Sequence, residues 1–383
     1  MSARAVILAA RRTPVAPRRG ALAHIEAFAL AAPVLAACLA DAGLDGGQVD
    51  EVVLGNALAA GGNVARLAAL AAGLPERVPA FTLDRQCCSG LDAIILAARM
   101  VESGAAQAVL AGGVESWSRA PLRARRPPAG EAPAFYERPP FTPWPERDPD
   151  PVAAAADLAR ARGISRAEQG AFAVASHAKA LAGYAEARAG GHPAELVRVP
   201  GAALDRDAFA RKLTPALCAR APILAGDPAF AVDAATAAVE ADGAAAVLVA
   251  SEAVAARLGV SAPLAIAGGL ALGGDPAQPA LAPGPVVRTL LARHGLAPHR
   301  LERVELMEAF AAQALVNCAD TGLDPARINA GGGALARGHP VGASGAILAV
   351  RLFHELRTAP AGSFGLAAIA AVGGLATALL LRR

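Results

Sequence analysis

Two cysteines stand side by side in DRQCCSGLDA, residues 84–93. A thiol attacks as its thiolate, and a helix N-terminus favours that form through its unpaired N–H groups and its dipole. The stretch reads as a strand turning into a helix, which puts Cys87 and Cys88 at such a terminus. On this segment alone two readings stand open: a reactive thiol, or a small residue buried in a tight turn, where free cysteine is common. Among the seven histidines, His339 has a chemical setting. GGGALARGHPVGASGA (331–346) packs six glycines, a proline and that histidine into one stretch. Glycines let backbone approach a ligand and adopt positive φ, and a histidine there suits a base or an oxyanion donor. The stretch is neither G-x-G-x-x-G nor a Walker A loop. The other histidines, 24, 177, 192, 294, 299 and 354, read as structural or surface residues.

The elements that must position these groups alternate. RAVILAA (4–10) and VDEVVLG (49–55) read as short buried strands, and AHIEAFALAAPVLAACLADAG (23–43) as a helix stopped by Gly43. A second helix is expected from about Ser89 to Glu102, then a strand over 106–116 ending in a Gly-Gly turn. Alternation of strand and helix predicts an α/β unit with a mainly parallel sheet. From Pro121 to Pro151 proline is dense, and Phe135, Tyr136, Phe141 and Trp144 cluster there, as a pocket lining or as a packed loop anchor. A helix over 164–184 opens on a capping box, Ser165 with Glu168. Residues 242–251 resume the strand texture, 303–322 read as strand then helix, and 366–381 as strand, turn, strand.

Bulk properties exclude several functions. A chain of 383 residues exceeds one ordinary core. Its 55% hydrophobic and 18% charged content is that of a globular protein. A net charge of +3 does not mark a nucleic-acid binder, and RARR at 123–126 reads as a solvated loop. No apolar run has the length of a membrane span free of breaks, and the N-terminus lacks a signal-peptide pattern. Five cysteines without a CxxC pattern argue against disulfides and structural zinc. The expectation is a cytoplasmic protein with no metal.

At its motifs the chain resembles the thiolase superfamily of acyl-CoA C-acyltransferases. The resemblance begins at RRTPVAPRRGALA (11–23) and runs through DEVVLGN…DRQCCSGLDA (50–93), GGVESWSRAP (112–121) and ISRAEQGAFAVASHAKA (164–180). It closes with DGAAAVLVAS (242–251), MEAFAAQAL (307–315) and GGGALARGHPVGASGA. It implies an α/β fold of duplicated βαβαβαββ halves layered α-β-α-β-α, two sheets enclosing buried helices. Residues 1–120 with about 241–262 would form the first half, 121–240 a loop or lid insertion, and 263–383 the second half. It implies that Cys87, in the family's C-x-S-G-L, is the nucleophile, with Cys88 in the variable position. His339 matches the G-H-P histidine that activates it, and Glu308 the glutamate of N-E-A-F. The backbone N–H groups of Cys87 and Gly373 would form the oxyanion hole. A coenzyme A or carrier-protein thioester would be the substrate, with no permanently bound cofactor. A homodimer or homotetramer is expected, with a partner subunit as a further possibility.

The motifs also depart from the family pattern. Met307 stands where the N-E-A-F asparagine holds a catalytic water, and a thioether is a poor hydrogen-bond partner. Ala371 stands where the C-x-G-G-G cysteine moves the α-proton, and no cysteine follows Cys318. Ala238 replaces the serine of T-A-G-N-x-S, and PVAAAAD (151–157) replaces M-G-x-T-A-E-N, both expected near coenzyme A. The leading reading is acyl transfer onto Cys87 with the enolate-forming groups missing. An ordinary thiolase with a substituted acid/base and a non-catalytic thiolase-like subunit are the alternatives.

Overall fold

A computed structural model describes residues 4–58, 61–190 and 194–383, without the side chains of 186–190. The chain opens with β1 (Ala5–Arg12), β2 (Ala16–Pro17), α1 (Ala27–Ala42), β3 (Glu51–Gly55), α2 (Val64–Ala71), β4 (Ala80–Leu83), α3 (Ser89–Glu102) and β5 (Ala108–Ser116). A middle region follows with β6 (Arg123–Arg125), β7 (Ala134–Tyr136), α4 (Pro151–Arg162), α5 (Arg166–Gly190), α6 (Pro215–Ala219), β8 (Ile223–Ala225) and β9 (Val232–Asp233). The rest is β10 (Ala241–Ser251), α7 (Glu252–Arg257), β11 (Leu264–Gly273), α8 (Pro283–Arg293), β12 (Leu301–Leu306), α9 (Ala311–Thr321), α10 (Ala334–Arg337), α11 (Val341–Leu356), β13 (Phe364–Ala371) and β14 (Leu375–Arg382).

The fold is mixed α/β, as expected, but its sheet differs from the expectation in two ways. It is one ten-stranded sheet, ordered β12-β13-β14-β11-β1-β10-β5-β3-β4 with β2 on β10, not two. A short antiparallel contact, Val6 opposite Ala265 and Ile7 opposite Leu264, joins the halves. Nor is it mainly parallel: among the described residues only β3–β4, β3–β5 and β12–β13 are parallel strand pairs. The physical reason is that helical crossovers give parallel neighbours, whereas each half closes on strands that return antiparallel, β5–β10 and β13–β14. The first half has the expected βαβαβαββ order. In the second, the strand expected between α9 and the glycine-rich loop is reduced to Asn329. That residue, at φ 50°, bonds β12 through its N–H to Val304 O and its amide to Leu306 N and O.

Helix α11 is apolar on nearly every side, and such a helix must be buried. It lies with α3 between β5 and β10 on one side and β12 and β13 on the other, while α1 and α2 cover one outer face and α8 the other. The two central helices cross at their glycines. A Cβ on Gly345 would sit 2.7 Å from Leu91 N, and one on Gly90 2.8 Å from Ala346 N. Backbone contact at this crossing draws the start of α3 to the start of α11, and so residue 87 to residue 339.

Local expectations fared unevenly. Gly43 caps α1 at φ 63°, and Ser165 and Glu168 form their box, Ser165 N donating to Glu168 Oε2 at 2.8 Å and Glu168 N to Ser165 Oγ at 3.2 Å. Gly112 and Gly113 are not a turn; they lie inside fully buried β5, where backbone presses on both. Arg123–Arg125 is a strand of a small hairpin with β7 rather than a loop. Aromatic residues of this region are paired with arginines. Phe135 is 70% exposed, and Tyr136, Phe141 and Trp144 stack with Arg125, Arg138 and Arg147.

Candidate active site

β4 ends at Leu83 and the chain makes one 3-10 turn, Gln86–Cys88, before α3 begins. Gln86 sits at φ 46°, an uncommon conformation for a non-glycine residue, held from both sides. Its N–H donates to Asp84 Oδ1 (2.7 Å), and its carbonyl accepts from Ser89 Oγ (2.6 Å), which itself accepts from Arg85 N (2.7 Å). This tight turn presents Cys87 half-buried at the head of α3, while Cys88 points inward and donates to Ile369 O. Of the pair, Cys88 is the residue buried in the turn, and Cys87 is the one left facing the head of α3.

His339 precedes α11 and brings Nε2 to 3.2 Å from Cys87 Sγ. Its Nδ1 lies 2.6 Å from Ser344 Oγ, and that hydroxyl faces Pro340 O at 3.1 Å. The hydroxyl has one proton; donating it to the carbonyl leaves its oxygen to accept from Nδ1–H. Nε2 then carries the lone pair and is placed to accept a hydrogen bond from the thiol. Burial pushes the Cys87 thiol up to about 12, opposed by its own N–H and that of Val372, and pushes His339 down to about 4. The resting pair is a neutral thiol and a neutral imidazole.

The other expected residues divide. Met307 is buried in the same apolar cluster as Cys88 and Ala371, against which Cys87, Ala238 and Ala309 pack. Gly373 follows β13 at φ 76°, beside Phe141 O. Glu308 meets neither Cys87 nor His339. Its buried carboxylate accepts from Asn329 Nδ2 (2.6 Å), Ser176 Oγ (2.7 Å) and Leu335 N (3.2 Å), which pins the glycine-rich loop to α5 and β12. Its pKa is raised, first by burial. Residues 151–157 form the start of α4, and Ala238 N donates to Ala309 O at 2.9 Å.

Glu115 escaped the sequence reading. It is fully buried, and burial pushes it up to about 7 although four N–H groups point at it. The signal was a single carboxylate in the apolar run AVLAGGVES. Among the described residues no cluster of three or more His, Cys, Asp or Glu could hold a metal, and no helix is long and apolar enough to cross a membrane.

Comparison with known proteins accounts for nearly the whole chain. Residues 5–253 match the family model "Thiolase, N-terminal domain" and residues 262–383 "Thiolase, C-terminal domain". An acetyl-CoA acetyltransferase of Pseudomonas aeruginosa is 39% identical over 400 residues, covering 99% of each chain. The crystal structure of the Bacillus anthracis acetyl-CoA acetyltransferase superposes with a TM-score of 0.91 at 30% identity, covering 100% of this chain and 99% of that one. A thiolase from Ascaris suum, solved in complex with coenzyme A, gives 0.88 at 30% identity, covering 99% and 100%.

Proposed function

The chain belongs to the thiolase family of acyltransferases, and from that premise we propose that it takes an acyl group from a coenzyme A thioester onto Cys87 and passes it to an acceptor whose α-proton need not be removed here. The observation that carries this is the 3.2 Å contact of His339 Nε2 with Cys87 Sγ in a site where Met307 and Ala371 are apolar. As Cys87 Sγ attacks the thioester carbonyl, Nε2 takes the thiol proton. When the C–S bond to coenzyme A breaks, the same proton goes to the departing sulfur, leaving the acyl group on Cys87. The N–H groups of Cys87 and Gly373 are the proposed donors to the carbonyl oxygen.

The second half-reaction of an ordinary thiolase needs a group to move an α-proton and a water to hold the enolate. Neither Met307 nor Ala371 does either, and loss of one such group commonly costs 10²- to 10⁴-fold, roughly 3–5 kcal/mol. A β-keto acid losing CO₂, an electron-rich ring carbon, or an amine, alcohol or thiol avoids that step. The intact cysteine–histidine pair disfavours a non-catalytic subunit. The acetyl-CoA acetyltransferase relatives favour the second reading, an ordinary thiolase with a substituted acid/base. Among the described residues the half-buried strand β4 pairs with β3 alone, and that free edge supports assembly as a homodimer or homotetramer. Residues 121–240 are the proposed insertion over the site.

Acetoacetyl-CoA cleavage separates the first two readings. The wild type is expected to cleave at least a hundredfold more slowly than Met307→Asn/Ala371→Cys, which restores both family groups. Rapid cleavage by the wild type, unimproved by the double substitution, would establish the ordinary thiolase instead.

A further inference from the structure

The stretch GGVESWS (112–118) takes no part in the chemistry above, yet it holds both ends of the turn that carries His339. Glu115 Oε2 accepts from the backbone N–H of Gly342 and of Ala57, each at 2.9 Å. Oε1 accepts from Asn56 Nδ2 (2.6 Å) and Leu58 N (3.3 Å). Gly342 lies in the first turn of α11, so the carboxylate meets the helix end that favours negative charge. Two residues further on, Trp117 Nε1 donates to His339 O at 3.3 Å. The strand also touches the turn directly: a Cβ on Gly113 would fall 2.0 Å from Gly342 O. On the opposite side His339 N donates to Val239 O at 2.8 Å.

Cys87 and His339 are far apart in the chain, and Ser344 orients only the imidazole ring. The backbone at 339 and at 342 therefore needs its own fixed reference. We propose that Glu115 and Trp117 are positioning residues that clamp residues 339–342 to the end of β5 and so keep His339 Nε2 within proton-transfer reach of Cys87 Sγ. The clamp's role in acyl transfer rests on the proposed function; its role in thiol reactivity does not. A displacement of about 1 Å at a reacting group costs on the order of a hundredfold, so a clamp of this kind is a rate device as well as a packing one.

The two members differ in what else they bring. The acids facing Glu115 electrostatically are Asp84 and Cys87, and its negative charge disfavours the thiolate. Trp117 carries no charge, and its indole face takes the Arg18 guanidinium at 5.8 Å. Removing the charge and removing the tether are thus separable.

The test measures iodoacetamide alkylation of Cys87 against pH, and acetyl-adduct formation from acetyl-CoA by intact mass, in Trp117→Phe, Trp117→His, Glu115→Gln and His339→Ala. Melting temperatures serve as the folding control. Trp117→Phe is expected to fall at least tenfold in alkylation near pH 7, toward the His339→Ala rate, and to match the wild type at high pH where hydroxide does the work. Trp117→His, which keeps a ring N–H, should recover part of the loss. Glu115→Gln should move the profile to lower pH. Profiles of Trp117→Phe and Glu115→Gln that both superimpose on the wild type would overturn the clamp, whatever their melting temperatures. A wild type that takes no acyl group would count against the proposed function, and the alkylation profiles would still decide the clamp.

Discussion

The resting state of the cysteine–histidine pair is set by burial. With the thiol pushed up to about 12 and the imidazole down to about 4, neither group carries charge between about pH 5 and 10. The ultraviolet absorbance of a Cys87 thiolate, read against Cys87→Ala, should therefore be missing through that range and appear only above it. A preformed thiolate–imidazolium pair would instead absorb from mildly acidic pH, and that profile would refute the neutral pair. Ser344 Oγ, 2.6 Å from Nδ1, is the contact that holds the ring. Ser344→Ala frees the ring to turn and should slow acyl loading about ten- to a hundredfold, read by stopped-time mass spectrometry, with little effect on stability. Cys87 and His339 were legible because rare residues sit among glycines in recognisable spacing. Glu115 was not, since nothing local separates a buried carboxylate that anchors backbone from one at a strand end. Glu308 carried a motif position, but only its bonds to Ser176, Asn329 and Leu335 reveal a residue that braces a loop.

The α3–α11 crossing is the element that converts two distant motifs into one site. Gly345→Ala places a methyl against Leu91 N, where backbone cannot yield as a side chain can. It should cost at least about 1–3 kcal/mol in urea unfolding, and Cys87 should alkylate more slowly in the folded variant as Nε2 withdraws. A glycine here that tolerated alanine in both assays would place the cause of the Cys87–His339 contact elsewhere. Helices and their caps could be read from periodicity, Gly43 and the Ser165–Glu168 box among them. Strand direction could not, because an apolar run looks the same whether its neighbour runs parallel or antiparallel. Gly112 and Gly113 were misread for a related reason. Glycine marks a turn in sequence, but in β5 it marks the place where Ala245 and Gly342 backbone comes too close for any side chain.

Across the whole molecule, a buried ionic network ties β1 to the middle region and to α11. Arg12, 1% exposed, bonds both Glu195 and Asp207, and Arg351 reaches Glu195 at 2.8 Å. These arginines hold Glu195 and Asp207 below the usual carboxylate range against the cost of burial, so their stabilisation is present above that range and lost on acidification. Glu305 behaves oppositely. It is fully buried with both oxygens unpartnered, and burial together with the charge of Glu355 raises it well above 4.5. The folded chain then holds a proton that the unfolded chain releases, and stability falls as pH rises above about 4.5. Glu305→Gln removes that loss. Its melting temperature should gain on the wild type progressively from pH 5 to 8, whereas parallel curves would contradict the assignment. None of this network was legible in sequence, because its members come from five separate stretches. Acyl transfer onto Cys87 can be read by intact mass spectrometry of the pure protein with a panel of acyl-CoA thioesters and peptide mapping. A single acyl adduct on Cys87, absent from Cys87→Ala, is expected. No adduct from any thioester, in protein whose Cys87 still alkylates, would contradict it.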